Sequence, residues 1–353
     1  MPTPNATAEK PAKGHAPAPV LMPFTRVAKE HTEAIAFDQS TVMTAASQGP
    51  YSIEVPATGY LRSVLLVVNV TGGVGASTAA ADGPWNVLTN VTLTDAGGAP
   101  IIESVDGYEL YLIAKYGGYA FSSDPAAQAS YTNTISTNGN FSFVLRVPVE
   151  VGSGVAALAN MNAAQPYRLN YRVNASTTVY SVVPGTLPTV RVRAVLESWT
   201  APADDSKPPL YGATQLWSKQ VYNINSGANT TRLQRVGNTM RNLILIHRDN
   251  TGARVTAMMP DPLILAFDQR QQHVTPRAVR SLYLTERYGY AGIDAGVDPI
   301  DYTHDWDGHP GGAELHDLWL TTSQATRLEI QGSYANAGTL TVLTNDLVLP
   351  AGA

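Results

Sequence analysis

A seven-residue pattern occurs twice in this chain, and each copy follows two apolar segments. Residues 111–117 read Tyr-Leu-Ile-Ala-Lys-Tyr-Gly, and residues 283–289 read Tyr-Leu-Thr-Glu-Arg-Tyr-Gly. Upstream, 62–68 corresponds to 241–246 and 91–95 to 263–268, in the same order. Three ordered matches indicate duplication of a whole β-domain, not a solenoid or propeller repeat. The residues that define the repeat are Tyr111, Tyr116, Gly117, Tyr283, Tyr288 and Gly289.

The length of the chain agrees with two domains. Its 353 residues exceed the roughly 250–300 residues that one hydrophobic core organises. Frequent glycine and proline suit short strands joined by turns, and the charged fraction of 14% is low against about 25% in ordinary domains. A run rich in proline and aspartate marks the linker, so we predict a first domain over 37–200, a linker over 201–212 and a second domain over 213–353.

Residues 1–36 are predicted to form an N-terminal arm. The segment is rich in proline and carries an excess of cations, a composition typical of a chain that is disordered alone. It is either a solvated tail or an arm that docks on a neighbouring subunit or an underlying surface. We find no secretory signal in it and no apolar run long enough to span a bilayer, which predicts synthesis in a cytoplasm. The cationic residues of the arm are Lys10, Lys13, Arg26 and Lys29.

Two hydrophobic patterns predict two kinds of strand. Residues 141–147, 167–173 and 190–194 alternate between apolar and polar side chains, which predicts half-buried strands. Residues 64–68 and 243–246 are apolar throughout, which predicts central strands covered on both faces.

A short helix is predicted to lead into each tyrosine motif. Thr275 and Pro276 form a favourable start for one, and Ser104 can cap the other. The motif tyrosines are expected to pack each helix on its sheet, with the hydroxyls at the rim. The turn-rich segments 118–140 and 290–314 that follow are predicted to be outward loops.

One cluster suggests a metal site. Imidazoles and carboxylates suit transition metals, but the spacing of these residues matches no established motif, and a polar surface loop is the simpler interpretation. The four candidate ligands are His304, Asp305, Asp307 and His309.

Enzymatic chemistry finds little support in the sequence. The chain lacks a nucleophile elbow and a phosphate-binding loop. Glu103, Asp106 and Glu109 are interpreted as the solvent-facing side of a helix. With no cysteine, the chain has no thiolate chemistry. Its net charge of -5 argues against direct nucleic-acid binding. We therefore predict a protein that is not an enzyme and has no cofactor.

Several features carry a resemblance to a known family. Phe37 and Asp38 open the first strand after the arm, and 107–110 carries the helix. The run 143–148 is followed by 154–160 and then by the strand 167–173. With two β-domains and a detached arm, the sequence resembles the double jelly-roll major capsid proteins of tectivirus-type, membrane-containing bacteriophages, a lineage that includes adenovirus hexon.

The resemblance implies an all-β fold of two consecutive eight-stranded jelly-roll β-sandwiches, each with a short inserted helix, plus an extended N-terminal arm. It implies homotrimeric, pseudo-hexagonal capsomers that tile an icosahedral virion shell, with the loops after Gly117 and Gly289 as outer towers. The expected partners are further copies of the chain, penton or minor capsid proteins, and an internal lipid membrane beneath the arm.

An alternative of a different class remains open at this point. The chain is compatible with a carbohydrate-binding or carbohydrate-active β-sandwich, such as a phage fibre or depolymerase component.

Overall fold

The computed structural model describes residues 30–119, 124–151, 155–200, 214–268, 270–288, 293–303, 319–322 and 326–348. Below, residues 30–200 are called the first unit and residues 214–348 the second unit. The predicted linker 201–212 and the arm cations Lys10, Lys13, Arg26 and Lys29 lie outside the described residues.

Strands dominate both units, and the helices are few and mostly short. The first unit contains β1 (Glu30–Val42), β2 (Gln48–Glu54), β3 (Gly59–Thr71), β4 (Thr78–Ala79), β5 (Leu88–Thr94), β6 (Pro100–Val105), β7 (Thr132–Thr134), β8 (Asn140–Pro148), β9 (Leu158–Asn160), β10 (Arg168–Val173), β11 (Tyr180–Val182) and β12 (Thr189–Trp199). Its helices are α1 (Gly107–Tyr116), α2 (Ile135–Asn138) and α3 (Ser176–Val179).

The second unit follows the same plan with fewer additions. Its strands are β13 (Thr214–Ile224), β14 (Gly227–Leu233), β15 (Thr239–Asp249), β16 (Leu263–Phe267), β17 (Arg270–Thr275), β18 (Val297–Asp301), β19 (Leu320–Thr321), β20 (Leu328–Tyr334) and β21 (Gly338–Val348). Its helix is α4 (Arg277–Tyr288).

The two units have the same strand topology. In the first, the main sheets run β1-β12-β3-β8 and β2-β10-β5-β6; in the second they run β13-β21-β15-β18 and β14-β20-β16-β17. Counted along the chain, the main strands of each unit therefore form the orders 1-8-3-6 and 2-7-4-5. In both units the longest helix follows the fifth main strand. The tyrosine repeat in the sequence thus corresponds to a repeat in the fold.

One continuous sheet joins the units. β6 of the first unit lies parallel to β13 of the second, with Ile102 opposite Trp217. A nine-stranded sheet consequently runs from β18 through β13 and β6 to β2. The neighbouring strands within each unit are antiparallel.

Each unit buries an apolar core between its two sheets, and the first core extends into the second unit. The inward side chains Leu243 and Leu245 of β15 belong to the core of the second unit. Their neighbours Ile244 and Ile246 point the other way, into the core of the first unit, and Trp217 of β13 joins them. The sheet that contains β15 is therefore covered on both faces.

The strand predictions are largely confirmed. β8, β10 and β12 alternate between buried and partly exposed residues, as their sequences predict. Residues 243–246 are buried at every position. Residues 64–68 were also predicted to be covered on both faces. Within one chain this prediction is wrong, because Leu65 and Val67 of β3 remain partly exposed. The difference arises because a helix covers the outer face of β15, and nothing described in this chain covers that of β3 to the same extent.

Two boundaries differ from the sequence-based predictions. β1 begins at Glu30, within the predicted arm 1–36, because residues 30–33 pair with the end of β12. The predicted outward loop 290–314 contains β18. β18 contains Pro299 in its middle. The proline is tolerated because β18 is an edge strand, which pairs with β15 alone among the described strands.

The helix starts also differ in detail. Asp106, not Ser104, caps α1, and it forms a capping box in which the Asp106 N–H donates to the Glu109 carboxylate over 2.8 Å. α4 begins at Arg277, one residue after the predicted start, and the carbonyl of Pro276 accepts the Arg280 N–H.

Candidate functional site

The residues of the first tyrosine motif lie at the junction between the two units. All ten residues of α1 are buried. The helix packs on β8 and β5 of its own unit on one side and approaches β15 of the second unit on the other, where the Asn242 amide donates to the carbonyl of Gly117 over 3.0 Å. α1 is therefore enclosed by sheets from both units.

Tyr111 anchors α1 inside the first unit. Its ring stacks on Trp85 with 4.4 Å between centroids and an interplanar angle of 13°, and its hydroxyl accepts a hydrogen bond from Lys115 over 3.1 Å. Tyr111 therefore packs α1 against the apolar core of the first unit. The hydroxyl, however, is buried rather than at the rim.

Lys115 and Tyr116 connect α1 to the second unit through Asp294. The Lys115 ammonium lies 3.0 Å from Asp294 and 3.1 Å from Asp124, and the Tyr116 hydroxyl donates to Asp294 over 2.8 Å. Burial alone would lower the pKa of Lys115, but the charges of Asp294 and Asp124 raise it. Burial and the Asp294 charge raise the pKa of Tyr116. Lys115 is thus held as a cation by carboxylates from both units.

A second ion cluster involves the start of α1. Lys219 of β13 lies 2.7 Å from Glu109 and 3.3 Å from Asp106. Glu109 is only 5% exposed and Glu103 lies on β6, so the interpretation of Glu103, Asp106 and Glu109 as the solvent-facing side of a helix is wrong for these two residues, whereas the Asp106 side chain is 44% exposed. The second unit buries this side of the helix, and Glu103 accepts the backbone N–H of Lys219 over 3.0 Å. Burial raises the pKa of Glu109, although Lys219 opposes the rise.

The chain beyond α1 adds aromatic contacts to the junction. Tyr119 accepts a hydrogen bond from the indole of Trp217 and donates to the Gln215 amide oxygen over 3.2 Å. The guanidinium of Arg241 lies 4.8 Å from the Tyr119 ring centroid. A side chain on Gly117 would collide with the Ile113 carbonyl and the Tyr119 ring, so this motif position requires glycine.

A third cluster closes the other end of the junction. Asp82 of the first unit lies 2.7 Å from Arg248 and 2.8 Å from Arg254 of the second. The Arg254 guanidinium also covers the ring of Tyr108 on α1, 4.3 Å from its centroid. Asp82, like Asp294 and Glu109, therefore pairs with cations across the junction, an arrangement that fixes the two units together.

The second copy of the motif has a different environment. Tyr283 on α4 is 39% exposed, whereas Tyr111 is 5% exposed. Tyr283 is thus far less buried than Tyr111 within a single chain, and the expectation that it anchors its helix stays a prediction. Tyr288 ends α4, and Gly289 lies outside the described residues.

The candidate metal ligands His304, Asp305, Asp307 and His309 also lie outside the described residues. Among the residues that the structure does describe, no group of three or more histidine, aspartate or glutamate side chains could hold a metal ion. In the same part of the chain, no helix is long and apolar enough to cross a membrane.

Sequence patterns gave no signal for several junction residues. Each of four junction residues is more than a hundred positions away in the sequence from its partner on α1 or beside it. These residues are Asp82, Asp294, Lys219 and Arg254. Their importance depends on how the units are placed against each other, which local periodicity does not encode.

Comparisons with solved structures reveal a shared fold. The chain is similar to the major capsid protein of Sulfolobus Turreted Icosahedral Virus, at 13% identity and a TM-score of 0.66, over 91% of this chain and 97% of that one. It is also similar to the major capsid protein of bacteriophage PM2, at 11% identity and a TM-score of 0.57, over 92% and 99% of the two chains.

A third similar structure is the PBCV-1 virus capsid, at 11% identity and a TM-score of 0.64, over 93% of this chain and 96% of that one. No protein-family model and no curated protein matches the sequence. At these identities the likeness shows the fold, which is mostly β with antiparallel sheets and is that of double jelly-roll major capsid proteins. The resemblance recognised in the sequence is confirmed at this level.

Proposed function

We propose that this chain is a structural major capsid protein whose homotrimers form pseudo-hexagonal capsomers of an icosahedral virus shell. The observation that carries the proposal is the full-length similarity to capsid proteins of three viruses, with more than 90% of both chains covered. In the finer interpretation, each unit is an eight-stranded jelly roll with an inserted helix. The first jelly roll spans 37–200, extended backwards by the start of β1, and the second spans 213–353.

The junction supports a mechanical rather than a catalytic role. Three ion clusters and a shared apolar core join the two units, and the cations of Lys115 and Lys219 each contact two carboxylates. Such a junction fixes the relative orientation of two similar units within one subunit. Three subunits with two similar units each would place six units around a threefold axis, and a hexagonal outline packs into a continuous shell.

The segment before β1 is proposed to act beneath the shell. Its cations, Lys10, Lys13, Arg26 and Lys29, would attract anionic lipid head groups of an internal membrane or clamp adjacent trimers. Penton or minor capsid proteins would be further partners in the virion, after assembly in the host cytoplasm.

The solution mass of the purified chain tests the trimer. Light scattering should give three times the chain mass of 37.6 kDa, and a compact monomer at micromolar concentration would contradict the proposal.

The role of the arm requires a separate test. A variant that lacks residues 2–29 but keeps β1 should still form trimers, and we expect it to fail to build shells. Its flotation with vesicles of anionic lipid should fall relative to the full chain, whereas zwitterionic vesicles should bind neither. Normal particles from the truncated chain would refute a role for the arm in assembly.

A further inference from the structure

Two helices at the same position in the fold differ strongly in exposure. α1 and α4 each follow the fifth main strand of their unit. On α1, Leu110 is fully buried and Tyr111 is 5% exposed, whereas their motif counterparts on α4, Leu282 and Tyr283, are 54% and 39% exposed. The sheet β21-β15-β18 of the second unit helps to bury α1, and nothing among the described residues does the same for α4.

A matching surface lies on the outer face of the first unit. Leu65, Val67, Val144 and Val195, here called the outer patch, are apolar yet only partly buried. In the second unit the equivalent positions are Ile244, Ile246, Val297 and Leu343, and all four are fully buried in the first core.

The strand registers establish this equivalence. Leu65 lies opposite Val195 as Ile244 lies opposite Leu343. Val67 lies opposite Val144 as Ile246 lies opposite Val297. The outer patch thus has the position and the chemistry of the surface that receives α1, and no helix of the described residues lies on it.

The sheet edges show the same difference. β6 and β13 pair with each other and join the two units. Their counterparts are β17 and β1, and among the described strands β17 pairs with β16 alone and β1 with β12 alone. Within the part of the chain that the structure describes, β17 and β1 thus each present a free edge, whereas the corresponding edges of β6 and β13 pair with each other. An open edge is a template for pairing with another chain.

We propose that α4 and the edge of β17 dock on the outer patch and the edge of β1 of a second copy of this chain. The contact would reproduce between subunits the junction that α1 forms inside one subunit. This inference rests on the proposed capsomer and specifies which of its surfaces meet. The internal junction is the argument for a second copy as the occupant, because it shows that a helix at this position binds a sheet of this type.

The interface is heterologous, since the two partners use different surfaces. Such an interface forms a ring if the rotation between subunits closes. Leu282 and the exposed Val274 of β17 would supply apolar contact to the outer patch. Arg146 and Glu197, paired across 2.5 Å beside the patch, would form part of its polar rim.

Cysteine cross-linking tests the proposal cleanly because the natural chain has no cysteine. In the double variant Leu282→Cys with Val67→Cys, a short bis-maleimide should join the α4 of each subunit to the β3 of the next. Denaturing gels should then show covalent trimers. Each single variant should remain uncross-linked, and an equal mixture of the two single variants should give covalent dimers but no trimers.

A matched control pairs Leu282→Cys with Val182→Cys. Val182 is 55% exposed but lies on β11, which belongs to the small sheet with β4, so this pair should give no covalent trimer. As a second measurement, Leu282→Glu should weaken trimer association by about 30-fold or more, the effect of losing a central apolar contact. Val182→Glu should leave association unchanged.

Two results would overturn the proposal while leaving the capsomer intact. One is a wild-type chain that sediments as a trimer while the double variant yields only single chains after cross-linking. The other is a Leu282→Cys single variant that forms covalent dimers, which would indicate that α4 meets α4 across a symmetric interface. A monomeric wild-type chain would refute the proposed function first, and this inference with it.

Discussion

Ile246 provides a sharp test of the shared core. This side chain belongs to β15 of the second unit, yet it is fully buried in the core of the first. The substitution Ile246→Ala removes three buried carbon atoms, worth about 2.4 kcal/mol at roughly 0.8 kcal/mol each. The remaining cavity adds to this loss, and buried Ile→Ala changes destabilise by about 2–5 kcal/mol. We expect a loss of about 3 kcal/mol in the free energy of unfolding.

Calorimetry and denaturant titration measure this loss. For a unit of this size each kcal/mol lowers Tm by roughly 2–4 °C, so the variant should melt several degrees below the natural chain. If the units unfold in two resolved transitions, both should shift, because the deleted group is carried by a strand of the second unit and packs in the core of the first. The control Val67→Ala changes the equivalent but partly exposed position and should lower the stability of the isolated chain by less than about 1 kcal/mol. A loss below 1 kcal/mol for Ile246→Ala, or a shift in one transition alone, would refute the shared core.

Three further predictions concern polar side chains in and around the second unit and α1. His247 is fully buried. Its burial and the nearby charges of Arg277 and Arg280 lower its pKa to about 3, so the unfolded chain takes up the proton at a higher pH than the folded chain does. The free energy of unfolding should therefore fall as the pH drops below about 6.5, by up to about 1.4 kcal/mol per pH unit. His247→Leu should flatten this part of a pH-dependent denaturation series, and an unchanged slope would contradict the assignment. Asp106→Ala removes the cap of α1 and should lower the free energy of unfolding by about 1 kcal/mol, measured in urea; no change would show that the cap is dispensable. Asp294→Asn leaves Lys115 with one carboxylate and should destabilise by about 1–3 kcal/mol, and thermal melts at neutral pH that match the natural chain would refute the link between the units.

Local patterns predicted the elements of the fold but not their surroundings. Residues 64–68 and 243–246 are equally apolar in sequence, yet only the second segment is buried on both faces. The difference is set by α1, which covers the outer face of β15. Both segments therefore predict an apolar outer face on their strand. Within the described part of one chain, only the face formed by 243–246 is covered.

The junction was the least predictable part of the molecule. Glu109 has the spacing of a solvent-facing helix residue, and its burial follows from Lys219 of a strand more than a hundred residues away. β18 lies in the turn-rich segment that was predicted to be a loop, and its Pro299 is tolerated because the strand is at an edge of the sheet. The tyrosine repeat did locate both helices, because it records the duplication of the fold itself.

A three-dimensional reconstruction of the purified assembly by electron cryo-microscopy, calculated without imposed symmetry, tests the central claim most directly. We expect a particle with threefold symmetry and a hexagonal outline, in which six β-units surround the axis and each α4 lies on the outer patch of the next subunit. A twofold dimer, or a ring in which α4 remains exposed to solvent, would contradict it.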